Sequence, residues 1–184
     1  MSTGDSMNVP NSLTILRILL IPVLIGFLNY EQFDHALVVI LIAGLTDALD
    51  GTIARVANQR TKLGAYLDPL ADKLLLTSGF VTLSVLHLVP LWAAILVVSR
   101  DLILLTGALL SRFTDSSLDM SPTFIGKGTT LFQLLYIILI IVFTSRHLER
   151  QLLHPLLYLM VALTVSSGLH YLYRGVAHLN TREA

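Results

Sequence analysis

Apolar residues run nearly unbroken for about a helix's worth of membrane at a time, and they do so six times. The stretches cover roughly 11–30, 34–57, 63–86, 90–111, 123–145 and 152–174. About 20 apolar residues wound as helix cross the hydrocarbon core of a bilayer. Polar punctuation separates the stretches: Asn29-Tyr30-Glu31-Gln32, Asn58-Gln59-Arg60-Thr61, the run before Pro90, Thr114-Asp115-Ser116-Ser117, and Arg146-His147-Leu148-Glu149-Arg150. Such clusters mark turns. Ser121-Pro122 has the form of a helix start, with serine capping and proline in the first turn, and Pro10 reads the same way. No repeat at a 20–50-residue period is visible. The pattern predicts one all-α domain over residues 1–184, integral to a membrane, with about six spanning helices.

Composition agrees. The chain is 54% hydrophobic and 13% charged, against roughly 45–50% and about 25% in soluble domains. That is too little polar surface for a water-soluble body. Lys+Arg and Asp+Glu balance at 12 each, which argues against nucleic acid as a partner, because such proteins carry a basic excess. With no cysteine, disulfides and thiol-ligated zinc are excluded. The first positive charge is Arg17, later than a signal peptide or presequence would place it. A bacterial cytoplasmic membrane is the expected location. The positive-inside rule puts Arg60, Lys62, Arg112, Arg174 and Arg182 on the cytoplasmic side and Glu31 and Asp34 opposite, with Arg146 and Arg150 dissenting.

Charge is sparse but concentrated. Residues 46–73 read TDALDGTIARVANQRTKLGAYLDPLADK and hold Asp47, Asp50, Asp68 and Asp72, a third of the acidic residues. At helical spacing Asp47, Asp50, Gly51, Ala54 and Arg55 share one broad face, and Gly64, Asp68 and Asp72 another. A short connection makes the two helices expected antiparallel neighbours, converging four carboxylates near the cytoplasmic end. Together they would cost roughly 10 kcal/mol at membrane depth. Lys73 and Arg55 are candidates to neutralise two of them. Divalent cations of the Mg²⁺ kind, which prefer oxygen ligands and substrate phosphates, suit the cluster better. Gly51, Ala54 and Gly64 leave open space beside it, and Arg55 supplies a planar fork for phosphate. The blander reading is close helix packing with local ion pairs. A cation-coupled transporter also uses intramembrane aspartates, but it commonly has paired repeats and a site at mid-depth.

Asp47-x2-Asp50-Gly51-x2-Ala54-Arg55-x8-Gly64-x3-Asp68-x3-Asp72 resembles, position for position, the signature of the CDP-alcohol phosphotransferase family. PNSLTILR at 10–17, SRD at 99–101 and PTFIGK at 122–127 extend the likeness over nearly the whole chain. The resemblance implies a six-helix membrane enzyme, homodimeric in the family's manner, that moves a phosphatidyl group from CDP-diacylglycerol to an alcohol and releases CMP. It implies two Mg²⁺ or Mn²⁺ ions on Asp47, Asp50, Asp68 and Asp72. Gly51, Ala54, Arg55 and Gly64 would receive the CDP and its pyrophosphate at the cytoplasmic face, and Asp72 would be the general base.

Within the family, the signature run with SRD and PTFIGK looks most like the cardiolipin-forming type, whose acceptor is phosphatidylglycerol. The phosphatidylglycerophosphate-forming type, which takes glycerol 3-phosphate, is the alternative. Asp101 tilts the reading toward the first, since the second more often has glutamate there. Either acceptor carries phosphate, and Arg100, Lys127 and Arg17 are the candidates to hold it, with pairing of Arg100 to Asp101 as the ordinary alternative. His87, His147, His154 and His178 read as interfacial, His170 as a packing residue, and Trp92 as an interface anchor.

Overall fold

The computed structural model describes the backbone of residues 9–56, 64–113 and 124–180, and the side chains of 12, 14–46, 70–107 and 126–173. Six helices follow one another: α1 (Val9–Asn29), α2 (Phe33–Val56), α3 (Gly64–Val85), α4 (Leu91–Phe113), α5 (Phe124–Ser145) and α6 (His154–Asn180). A single 3-10 turn, Arg150–Leu153, leads into α6. These bounds follow the six apolar stretches of the sequence to within a few residues.

Three connections gather at one end of the bundle. Glu31, His87 and His147, which follow α1, α3 and α5, all take the left-handed backbone conformation, with φ of 56°, 56° and 51°. Each closes its helix in the same way. Gln32 N–H donates to Phe27 C=O at 2.8 Å, Leu88 N–H to Leu83 C=O at 2.9 Å, and Leu148 N–H to Phe143 C=O at 2.8 Å. This satisfies carbonyls that a helix end otherwise leaves open, in a position where glycine is the usual occupant.

The helices form a closed ring. Going round it, α1 packs on α3, α3 on α4, α4 on α6, α6 on α5, α5 on α2, and α2 returns to α1, while α3 also touches α5 across the centre. Among the described residues, α1 packs against both α2 and α3; the expected convergence of α2 with α3 around Asp47, Asp50 and Asp68 rests on side chains outside the described residues.

The ring is apolar outside, and its apolar interior holds a few buried polar and charged groups. Leu19, Leu45, Val85, Leu91, Leu131, Leu152 and Leu169 are exposed, whereas Arg17, Arg100, Asp101, Gln133, Thr129, Thr164 and Ser167 are buried. Leu24, Leu28, Phe80, Leu83, Val97, Ile137, Ile141 and Met160 complete the core. Of the described residues, Gly126–Ser145 and Arg150–Tyr173 are long and apolar enough to cross a membrane. Thr14–Asn29 and Phe33–Thr46 are apolar but shorter. Charges interrupt the apolar runs there: buried Arg17 on α1, half-buried Asp72 and Lys73 on α3, and buried Arg100 and Asp101 on α4.

Candidate active site

Asp72 lies two turns into α3 and Arg17 two turns into α1. Because α1 is wedged against α3, the Arg17 guanidinium reaches the Asp72 carboxylate and donates from one terminal nitrogen to Oδ1. Arg17 is 1% exposed and the Asp72 side chain 36%. A guanidinium that deep needs a charged partner, since stranding it would cost several kcal/mol. The same pairing leaves Asp72 anchored at one edge and reachable from outside.

The next residue points the other way. Lys73 Nζ donates to Asp101 Oδ1 on α4 at 2.8 Å and lies 3.4 Å from Thr130 Oγ1 on α5. Arg100 donates to the same Asp101 oxygen at 2.7 Å. Its other nitrogens donate to Ser167 Oγ on α6 at 3.1 and 3.3 Å, and to Gly126 C=O at 3.2 Å. Below this network Gln133 donates to Thr164 Oγ1 at 3.3 Å, again joining α5 to α6. Asp101 is 5% exposed, and its Oδ2 has no hydrogen-bond partner. One carboxylate thus holds two cations beside Asp72, and the further bonds of those cations reach α5 and α6. Gly168 admits the aliphatic stem of Arg100, whose Cγ would lie 3.8 Å from an added Cβ.

Several expectations meet this geometry directly. Lys73, a candidate counter-charge for the signature aspartates, is bound to Asp101 instead, because α4 rather than α2 lies against that side of α3. Arg17 reaches the site, but as the partner of Asp72. Arg100 has its donors taken up inside the bundle, which is the ordinary pairing with Asp101 that the sequence also allowed. Lys127 is the exposed one of the three acceptor candidates. Asp47, Asp50, Gly51, Ala54 and Arg55 lie on α2, and Gly64 and Asp68 on α3. The side chains of these seven residues lie outside the described residues. Among the described residues, no three carboxylate or imidazole groups come close enough to hold a metal ion. The roles of Ser167 and Thr130 were not legible beforehand, since single hydroxyls in apolar helices carry no pattern.

The site thus joins a ring of helices to a buried arginine that pairs with the last aspartate of the acidic signature. The chain belongs to the CDP-alcohol phosphatidyltransferase family, whose model matches residues 7–166. It is 39% identical over 145 residues to the human protein named cardiolipin synthase (CMP-forming), covering 70% of this chain and 48% of that one. It is also 39% identical over 134 residues to an Aquifex aeolicus protein named CDP-diacylglycerol–glycerol-3-phosphate 3-phosphatidyltransferase, covering 68% of this chain and 71% of that one. A Mycobacterium tuberculosis protein named probable phosphatidylglycerophosphate synthase is 37% identical over 101 residues, 52% of this chain and 48% of that one. The chain spans about half the length of the cardiolipin synthases it matches.

Proposed function

We propose that this protein is a membrane-embedded phosphatidyltransferase that moves the phosphatidyl group of CDP-diacylglycerol onto phosphatidylglycerol, forming cardiolipin and CMP. The observation that carries the reading is the Arg17–Asp72 pair: a buried cation holding a half-open signature carboxylate in a chain of this family. All six helices span the bilayer in this reading, with the acidic end toward the cytoplasm of a bacterial cell. Leucines exposed along the outer face, with Arg17, Arg100 and Asp101 buried within, support it, because hydrocarbon has no water to solvate an outward charge.

Asp72 serves as general base. It takes the proton of the acceptor hydroxyl as that oxygen bonds to the lipid-side phosphorus and the bond to CMP breaks. Arg17 positions it, holding one carboxylate edge so that the other faces the hydroxyl. Asp47, Asp50, Asp68 and Asp72 are an all-oxygen donor set suited to Mg²⁺ or Mn²⁺, and Asp72 is exposed enough to contribute. Bound there, two such ions would neutralise the pyrophosphate and the leaving CMP. Gly51, Ala54, Arg55 and Gly64 receive the nucleotide, and Lys127 is the available contact for an acceptor phosphate. Two copies of the chain form the working unit.

Glycerol 3-phosphate is the second acceptor to weigh, because the Aquifex relative, of which the chain covers 71%, carries that substrate in its name. Purified protein with CDP-diacylglycerol and Mg²⁺ is offered each acceptor separately while CMP release is followed. Turnover with phosphatidylglycerol alone is expected. Turnover with glycerol 3-phosphate alone would make the product phosphatidylglycerophosphate, and turnover with neither would overturn both.

A further inference from the structure

A cavity of about 950 Å³ lies at the end of the bundle away from Asp72. It is at the upper end of the size range of small-molecule sites, roughly 300–1,000 Å³. The last turns of α3, the first half of α4, the middle of α5, the 3-10 turn and the start of α6 line it, and it is open on one side. Its apolar shaft is formed by the buried Ala94, Ile140 and Leu157 with the half-buried Val98, while the lining residues His87, Arg150 and His154 are exposed and mark its open side. The proposed transfer reaction uses none of them.

Two observations point to a ligand. Ser84 lines the cavity, is 6% exposed, and its Oγ has no hydrogen-bond partner within the protein. A helical serine normally donates to the carbonyl one turn back, and a buried hydroxyl left unpaired costs about 1–3 kcal/mol. Secondly, Arg150 makes no ion pair among the described residues, whereas its neighbour Arg146 lies 3.9 Å from Asp34. An unpaired guanidinium at the mouth, an unused hydroxyl just inside and a hydrocarbon-lined shaft complement one chemistry. That chemistry is an anionic headgroup, an ester carbonyl and an acyl chain, in that order.

We propose that this cavity holds one anionic glycerophospholipid. Its phosphate lies against Arg150, an ester carbonyl accepts from Ser84 Oγ, and a chain fills the shaft. A soluble phosphate would make no use of the shaft, and a neutral hydrocarbon none of Arg150. The inference rests on the membrane reading but not on the transfer reaction.

The full chain is placed in nanodiscs of equal parts phosphatidylglycerol and phosphatidylcholine, released into mild detergent, and its retained lipids are counted by native mass spectrometry. One phosphatidylglycerol per chain is expected, at least ten-fold over phosphatidylcholine. Arg150→Gln, a change at an exposed position, is expected to lower that retention at least five-fold, and Ala94→Phe to abolish it by filling the shaft. Arg146→Gln serves as the control and leaves retention unchanged. Retention that survives Arg150→Gln places the lipid at the catalytic end or on the annulus and overturns the proposal. Equal retention of both lipids overturns it too, as does a dimer that Ala94→Phe dissociates while no lipid is retained. Should Ala94→Phe not fold, Arg150→Gln decides. A chain that stays in solution without detergent or bilayer overturns the membrane reading and this inference together.

Discussion

Arg17 and Asp72 are unequal partners, and their difference in exposure sets what their replacement does. Asp72→Asn deprives a guanidinium that is 1% exposed of a charged carboxylate, whereas Arg17→Gln leaves behind a carboxylate that is 36% exposed and able to turn toward water. Destabilisation of about 2–3 kcal/mol is expected for the first and about 1 kcal/mol for the second, read from denaturation in detergent. Activity separates them differently. Asp72→Asn is expected to abolish turnover while CDP-lipid binding persists, and full activity would remove Asp72 from the base role. Arg17→Gln should lower kcat at least ten-fold with little change in KM, because a positioning residue acts through the group it holds. Asp101 obeys the same logic with two cations at stake. Asp101→Asn is expected to cost about 3 kcal/mol, since Lys73 and Arg100 share its Oδ1. Ser167→Ala, which removes only a hydroxyl acceptor, should cost about 1–2 kcal/mol. Equal losses would show that the network is held by packing rather than by Asp101.

Between elements, close approach decides more than propensity. α3 and α5 meet across the centre of the ring at Gly79, where an added Cβ would stand 3.3 Å from Ile137 Cδ1. Ile137 is itself buried and has little room to give. Alanine favours a helix over glycine by about 1 kcal/mol, so the sign of Gly79→Ala depends on that single methyl. In the wild-type background the substitution is expected to be neutral or destabilising. In an Ile137→Val background, where the methyl is gone, it should stabilise. A thermodynamic cycle on the two substitutions checks this, and a zero coupling energy would mean that α3 and α5 do not touch there. The helix bounds themselves were legible in the sequence, because polar clusters, or proline in the case of Pro90, separate six apolar runs. The pairing of helices was not. That α1 packs against both α2 and α3 is announced by no local pattern along it.

For the whole molecule, the proposed chemistry makes metal dependence a sharp expectation. Removal of divalent ions by a chelator should abolish CMP release, and Mg²⁺ or Mn²⁺ should restore it. Substitution of Asp47 or Asp68 should shift the metal titration to higher concentrations. Turnover that ignores the chelator would remove the ions from the mechanism, and an unchanged titration in both variants would remove those two ligands.

The sequence by itself determined that the chain is helical and apolar, where its six helices run, and which family's acidic signature it carries. Each of these is written in local spacing: runs of about 20 residues for a bilayer, and four-residue steps for a helix face. Only the tertiary structure decided which buried charges meet. Arg17 and Asp72 are 55 positions apart, and Lys73 pairs with Asp101 across to another helix. In an apolar interior a charge must find its opposite wherever packing brings one near, and that choice depends on the order of helices round the ring.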